Sequence, residues 1–397
     1  MEPITIIYPF RPARRSLAGA EVADLFGITD DEPPYVVARD VILDIRPRDV
    51  VLFTGPSGSG KSSLLREAGR RLDALDIHTL ELPGRAAIDC LSGSVPQRLD
   101  LLAACGLSEA RLLLRTPAEM SDGQRSRFRL ALALDRVRRL GCSPFLMIDE
   151  FAAVLDRTLA KVLAFNVRKL ATRTAIGFLL ATTHNDVLDD LNPDVHVVCH
   201  GDGVIDVDRW ELKKKALSFA HEFWMSDGAR SDWPYFARWH YRSHSLAFVK
   251  RIVLLWHNST AVGICVFSSP AASLRLRSRF FGLTHPRSEH ALSAMNRQLW
   301  LLSRVVLHPT YRGAGVAAAF VRRACETCPV PWIETLTAMG RANPFFERAG
   351  FTRVGVIRKE GHGRASGAYG RQVSAETEAK SRHSEPVYYV FDRSAKR

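Results

Sequence analysis

Long apolar runs are what this sequence most lacks. None approaches the ~18–20 residues needed to cross a bilayer, and the stretch after Met1 does not read as a secretory leader. The expectation is a soluble cytoplasmic protein with no membrane partner. Cysteine is also scarce: seven in 397 residues, an odd number scattered along the chain, argue against a disulfide framework and for a reducing compartment. Low-complexity composition is missing too. With 46% hydrophobic and 24% charged residues the chain is ordinary globular protein rather than a disordered tail. At roughly 100–200 residues per domain it has room for two or three domains.

Acidic residues are in deficit, and the deficit is local. The net charge is +13, yet Glu211 to Arg397 holds 29 Lys/Arg against 13 Asp/Glu, leaving 26 against 29 before it. A half at +16 beside a half at −3 points to two domains, and to an acidic partner such as nucleic acid for the basic one. An Arg-rich proteome is the plain alternative.

The first half carries phosphate chemistry. A short β-rich run, Asp49-Val-Val-Leu-Phe-Thr54, flows into Gly55-Pro-Ser57-Gly58-Ser59-Gly60-Lys61-Ser62-Ser63 and then a helical pattern to Leu72. This is G-x-x-x-x-G-K-[ST] between a strand and a helix, the context a P-loop needs. Glycines let backbone N–H groups curl around phosphates at a helix N-terminus. Lys61 is placed to reach the β- and γ-phosphates of ATP, and Ser62 to hold Mg²⁺. A second run, Phe145-Leu-Met-Ile-Asp149-Glu150, reads as a buried parallel strand delivering carboxylates to a sheet edge. Asp149 suits the Mg²⁺ contact and Glu150 the base that polarises water.

Between the two runs, Met120-Ser121-Asp122-Gly123-Gln124 opens an Arg-rich helix. Here the sequence resembles the ABC-type ATPases, whose signature loop is a Ser-x-Gly-Gln element before such a helix. The resemblance covers about residues 35–210, with 1–34 as an N-terminal extension. It implies that Asp156 is the D-loop aspartate and that His184, after an apolar strand, is the switch histidine contacting the γ-phosphate. It further implies that Gln97 is the Q-loop glutamine near the metal, and that Tyr35 lies where the family stacks an aromatic on adenine. Tyr35 also reads as a plain strand aromatic. A head-to-tail homodimer is implied as well. Only 60 residues separate Lys61 from Ser121, less than in transporter ATPases, so a permease-driving role is not expected.

The second half, after a charge run at Glu211-Leu-Lys-Lys-Lys215, opens with aromatics interleaved with Arg230, Arg238 and Arg242. Such a cluster either stacks on bases or packs a core. Strand-like runs follow at 248–256, 261–267 and 299–307. The last leads into His308-Pro-Thr-Tyr-Arg312-Gly313-Ala314-Gly315-Val316-Ala317. This resembles the [RQ]-x-x-G-x-[GA] motif of the GNAT N-acetyltransferases. With Asn343 to Phe351 and a terminal strand at 386–391, the likeness spans about 216–393. It implies an α+β domain binding acetyl-CoA or another acyl-CoA through the 312–317 loop. Glu334 is a candidate base, with a structural carboxylate as the alternative. Phe345-Phe346 stands where the family often keeps a tyrosine acid. Leu302-Ser-Arg304 and Trp239-His-Tyr-Arg242 are similar to Mom-type DNA-modifying proteins. Cys325 and Cys328 lack a second ligand pair for zinc, and 360–385 reads as a mobile loop.

The fold expected is therefore α/β, a P-loop ABC-type ATPase domain followed by a GNAT-like α+β domain. Three functions stay open: nucleic-acid acylation, small-molecule or protein acetylation, and an inactive GNAT fold used for binding.

Overall fold

The computed structural model describes residues 2–10, 16–29, 32–141, 145–211, 216–240, 245–283, 288–341, 343–357 and 385–395. The charge run at Lys213–Lys215, Arg242 and nearly all of 360–385 lie outside them. The chain divides into two compact units, Met1–Arg85 with Thr116–Leu217, and Ala86–Arg115 with Ser218–Arg397. Residues 86–115, read from sequence as part of the ATPase, belong to the second unit.

In the first unit β1 (Ile4–Tyr8) pairs antiparallel with β2 (Tyr35–Val41), so residues 4–8 are part of its framework rather than an appendage. A six-stranded sheet holds β3 (Val50–Thr54), β4 (Leu75–Asp76), β5 (Phe145–Ile148), β6 (Gly177–Ala181), β7 (Val195–Gly201) and β8 (Val204–Arg209). Their spatial order is β4-β5-β6-β3-β7-β8, parallel throughout except for the β7–β8 hairpin. β3, β5 and β6 are buried along their whole length, as continuous apolar runs in a doubly covered parallel sheet must be. The helices Lys61–Arg71 and Arg157–Arg173 start just after β3 and shortly after β5. The order of the strands thus brings the loops after β3, β5 and β6 to one edge.

The second unit is built on a seven-stranded sheet. It comprises β9 (Phe223–Asp227), β10 (Val249–His257), β11 (Thr260–Ser268), β12 (Leu299–Leu307), β13 (Trp332–Thr337), β14 (Thr352–Val356) and β15 (Val387–Asp392). The order is β14-β15-β13-β12-β11-β10-β9. Every neighbouring pair is antiparallel except β12–β13, which is parallel only over Leu299–Leu301 against Trp332–Glu334. Beyond that point β13 continues with β15 and β12 with β11, so the two strands part. A bulge at Ser303 in β12, opposite Val266–Phe267, marks the parting. The aromatic-rich segment packs largely as core: Trp233 and Phe236 lie against Ile252, Leu254, Ile264, Val266 and Val306.

Candidate functional site

The loop Gly55–Gly60 wraps the N-terminus of the helix Lys61–Arg71. Its glycines are demanded by space. Gly55 has φ 139° and an added Cβ there would sit 2.0 Å from the Cys199 carbonyl; at Gly60, φ 90°, it would sit 2.3 Å from Val37. Ser59 is buried in the wrap and its Oγ has no hydrogen-bond partner. Around the loop is a cavity of about 430 Å³, lined by Ser57, Gly58, Lys61, Ser62 and Ser63, by Asp149 and Glu150 after β5, and by Thr182 and Thr183 after β6.

The donor set suits a magnesium nucleotide. Ser62 Oγ donates to Asp149 Oδ1 at 3.1 Å, so the hydroxyl and carboxylate expected to share Mg²⁺ already face each other. Lys61, largely buried, turns its Nζ onto the Pro56 carbonyl at 2.6 Å, inside the curl that would receive phosphates. Glu150 takes a left-handed φ of 51°, with its N–H held by Asp149 Oδ1 at 3.0 Å and its side chain exposed at the cavity.

Tyr35 lines the cavity, its hydroxyl donating to the Gly58 carbonyl at 3.0 Å. Tyr8 does the same from the facing strand, with its hydroxyl 3.1 Å from Ser63 Oγ, and the two residues are register partners. The sequence reading missed Tyr8. Its only signal was an aromatic ending a short apolar run.

Ser121 and Gln124 form a reciprocal cap at the start of the helix Asp122–Leu140. Gln124 Oε1 accepts from the Ser121 N–H at 3.0 Å, and Ser121 Oγ accepts from the Gln124 N–H at 3.4 Å. Neither they nor Asp122 and Gly123 line the chain's own cavity. Gly123 is small because Leu155 packs on it; a Cβ would come within 2.8 Å. Asp156 caps the helix Arg157–Arg173 by accepting from the Leu159 N–H at 2.9 Å. Arg157 then forms a forked ion pair with Asp186, its Nε 2.9 Å from Oδ2, which ties this turn to the loop of His184. Sequence reasoning also missed that pair. His184 follows the cavity-lining Thr183 but is not itself at the cavity wall.

Gln97 departs from expectation. It lies in the second unit, where its amide oxygen accepts from Ser94 N–H at 2.8 Å and Ser94 Oγ at 3.0 Å, closing a helix cap. That capping role occupies the group expected near the metal.

In the second unit the loop after β12 reaches the helix Val316–Glu326 through Gly313 and Gly315, both at φ near +90° (87° and 88°). Nothing crowds Gly315, whose missing side chain leaves the helix N-terminus open. Ala314 is buried, and Val316 and Ala317 begin the helix. The Arg312 guanidinium donates to the carbonyls of Leu307 at 2.9 Å and Ser108 at 3.1 Å, so it braces the loop. Glu334 is corrected outright. It is 1% exposed and gripped by Arg277, Nε to Oε2 at 2.8 Å and NH2 to Oε1 at 2.6 Å, with the Tyr388 hydroxyl donating at 2.9 Å. Burial beside this carboxylate pushes the Tyr388 phenol well up. A carboxylate so enclosed braces the sheet and has no path to a substrate proton. The thiols of Cys325 and Cys328 are buried, and burial pushes both up, that of Cys328 to about 11.

A protein-family model described as an AAA domain matches residues 45–189. The zinc import ATP-binding protein ZnuC of Cereibacter sphaeroides is 29% identical over 194 residues, 42% of this chain and 76% of that protein. The Fe(3+) ions import ATP-binding protein FbpC of Streptomyces coelicolor is 32% identical over 210 residues, 44% of this chain and 56% of that protein. The chain thus spans little more than half the length of this second relative. The solved dimeric structure of a bacterial ABC transporter cassette aligns with 52% of this chain and 97% of its own at TM-score 0.37 and 17% identity. Residues 45–189 are thus similar to an ABC ATPase-like P-loop nucleotide-binding domain. No helix among the described residues is long and apolar enough to cross a membrane.

Proposed function

We propose that this protein hydrolyses ATP as a head-to-tail dimer and couples it to a GNAT-like acyltransferase acting on nucleic acid, not to a permease. The observation that carries the ATPase part is the Ser62–Asp149 pair beside the P-loop curl, with Glu150 next to it. Bound ATP supplies a phosphoanhydride to cleave, and Mg²⁺ neutralises its developing charge. Lys61 swings from Pro56 to hold the terminal phosphates. Tyr8 and Tyr35 provide the platform for the base. Glu150 accepts the proton of the attacking water, and His184 steadies the γ-phosphate once the site closes. Ser121–Gln124 serve the partner's site, which agrees with their absence from the chain's own cavity wall.

The acyltransferase reading rests on β12 and β13 parting after Leu301 and Glu334, with the open loop Arg312–Ala317 following β12. Backbone N–H groups at Gly313–Ala317 would hold an acyl-CoA pyrophosphate at the helix N-terminus. Segment 86–115 clusters with this unit, which favours coupling to an intramolecular partner over docking on a membrane subunit. The second reading, an inactive fold that recognises a partner, is favoured by the enclosure of Glu334 and by Phe345-Phe346.

The test is the Glu150→Gln protein. It should bind ATP, stop turnover and accumulate as a dimer; turnover at the unmutated rate would sink the base assignment. Incubating the unmutated protein with radiolabelled acetyl-CoA and DNA or RNA should label the nucleic acid. Acyl-CoA binding without label in any acceptor would instead favour the inactive fold.

A further inference from the structure

Two arginines, Arg277 wholly buried and Arg304 half-buried, lie against the second unit's sheet, and the fold treats them differently. Arg277 is wholly buried and fully compensated, by the Glu334 carboxylate and by the Ala271 carbonyl at 2.6 Å. Arg304 on β12 is not. Its NH1 donates to the Ser303 carbonyl at 2.8 Å and its NH2 to the Ser245 carbonyl at 3.4 Å. Its Nε is sealed from solvent with no hydrogen-bond partner, and no carboxylate among the described residues pairs with it. Burial alone pulls the pKa of its guanidinium down. A guanidinium cannot shed its charge in a protein, and this one carries it half-buried with no carboxylate partner among the described residues. Half-buried cations with an unpartnered donor are among the groups that cluster at ligand sites.

Its place fits that reading. β12 has left β13 at Leu301, Ser303 forms the bulge, and Arg304 is the next residue, on the strand that borders the parting. Arg304 faces Val266, so it stands on the sheet face that packs Trp233 and Phe236. Further along the same face His308 meets the Trp239 ring at 4.7 Å. Trp239 and the partly exposed Tyr235 flank the Arg238 guanidinium at 4.8 and 4.4 Å. Cation and aromatic surface alternating along one face is what a single-stranded backbone and its bases require.

We propose that Arg304 is an acceptor-recognition residue that takes a phosphate of a nucleic-acid strand, beside a base platform at Trp239 and Tyr235. The proposal rests on the nucleic-acid reading above and deepens it. The test uses the full chain, a short single-stranded oligonucleotide and acetyl-CoA as probes, and Arg304→Met and Arg304→Lys. Loss of one charge-assisted phosphate contact should weaken oligonucleotide binding of Arg304→Met by about ten- to a hundredfold. It should also lower the slope of log affinity against log salt by about 0.7, while Arg304→Lys keeps the slope. Acetyl-CoA affinity should not change. Melting of Arg304→Met should stay close to the parent's, since only the carbonyl bonds of a half-buried side chain are lost.

Oligonucleotide affinity and salt slope unchanged in Arg304→Met would overturn the proposal alone, leaving the nucleic-acid reading standing. No oligonucleotide binding by the unmutated protein would overturn both. Weakened acetyl-CoA binding instead would assign the phosphate to the acyl donor and refute an acceptor role. A melting point several degrees lower would make Arg304 a strut of the sheet.

Discussion

Glu334→Gln separates a brace from a catalyst. In the unmutated protein both carboxylate oxygens are committed, Oε1 to Arg277 NH2 and Oε2 to Arg277 Nε and the Tyr388 hydroxyl. A glutamine offers one oxygen, and its NH₂ must point an N–H at either the guanidinium or the phenol. Arg277, 0% exposed, is left charged and half satisfied. Breaking one partner of a buried pair costs about 3–5 kcal/mol. For a domain of this size ~2–4 °C per kcal/mol converts that to a fall of roughly 6–20 °C. Differential scanning calorimetry of the full chain reads it in the transition of the second unit, the first unit's transition staying in place. Replacing both partners, Glu334→Leu with Arg277→Met, should recover most of the loss, because the desolvation penalty goes with the pair. A Glu334→Gln protein that melts within about 2 °C of the parent, a shift below ~1 kcal/mol, and has lost acyl transfer would refute the brace and restore the base.

Lys61→Ala should weaken ATP binding itself, measured by calorimetry, without unfolding the first unit, since the Lys61 amine bonds only a loop carbonyl. Gly315→Val should abolish acyl-CoA binding and lower melting by several degrees without unfolding the unit: open space surrounds the position, but a β-branched residue at φ 88° carries strain of about 1–3 kcal/mol. Hydrogen bonds from Arg70 and then Arg71 hold the Glu67 carboxyl down at about 2, against an ordinary 4.5. A depressed pKa contributes stability above about pH 4.5 that is lost as pH falls towards 2, so the melting difference between the parent and Glu67→Gln should be present at pH 7 and vanish on acidification through that window.

What the sequence made legible is local chemistry. A P-loop states its own conformation, because only glycine tolerates φ 139° against the Cys199 carbonyl and φ 90° against Val37. An apolar run ending in Asp149-Glu150 reads as a buried strand whose carboxylates emerge at its end, and β5 is that strand. The strand-like runs of the second half become β10, β11, β12 and β15 within a residue or so, since alternation and apolar run length act over neighbours. Each of these features is decided within about ten residues of chain.

The misses all depend on residues far apart in sequence. Tyr8 reaches the cavity only because β1 pairs with β2 across a 26-residue connection, and nothing in Ile4–Tyr8 announces the partner. Gln97 has a sequence context, Ser-Val-Pro-Gln, that serves a Q-loop or a helix cap equally well, and the choice falls to the unit on which its helix packs. Glu334 looked like a candidate base because Trp-Ile-Glu ends on a carboxylate. Its partner Arg277 lies 57 residues away in a stretch with two other arginines, and only Arg277 turns inward. Arg304 is the converse case. It stands between Ser303 and Val305, and the sequence singles it out only through the short likeness of Leu302-Ser-Arg304 to Mom-type proteins, which says nothing of its partners. The fold half-buries it beside two carbonyls and provides no carboxylate among the described residues. An arginine paired with a carboxylate and one held only by carbonyls are indistinguishable in sequence. They are distinguished only by what the tertiary structure brings within about 3 Å, the reach of a hydrogen bond, and that difference separates a stabilising strut from a group that waits for a ligand.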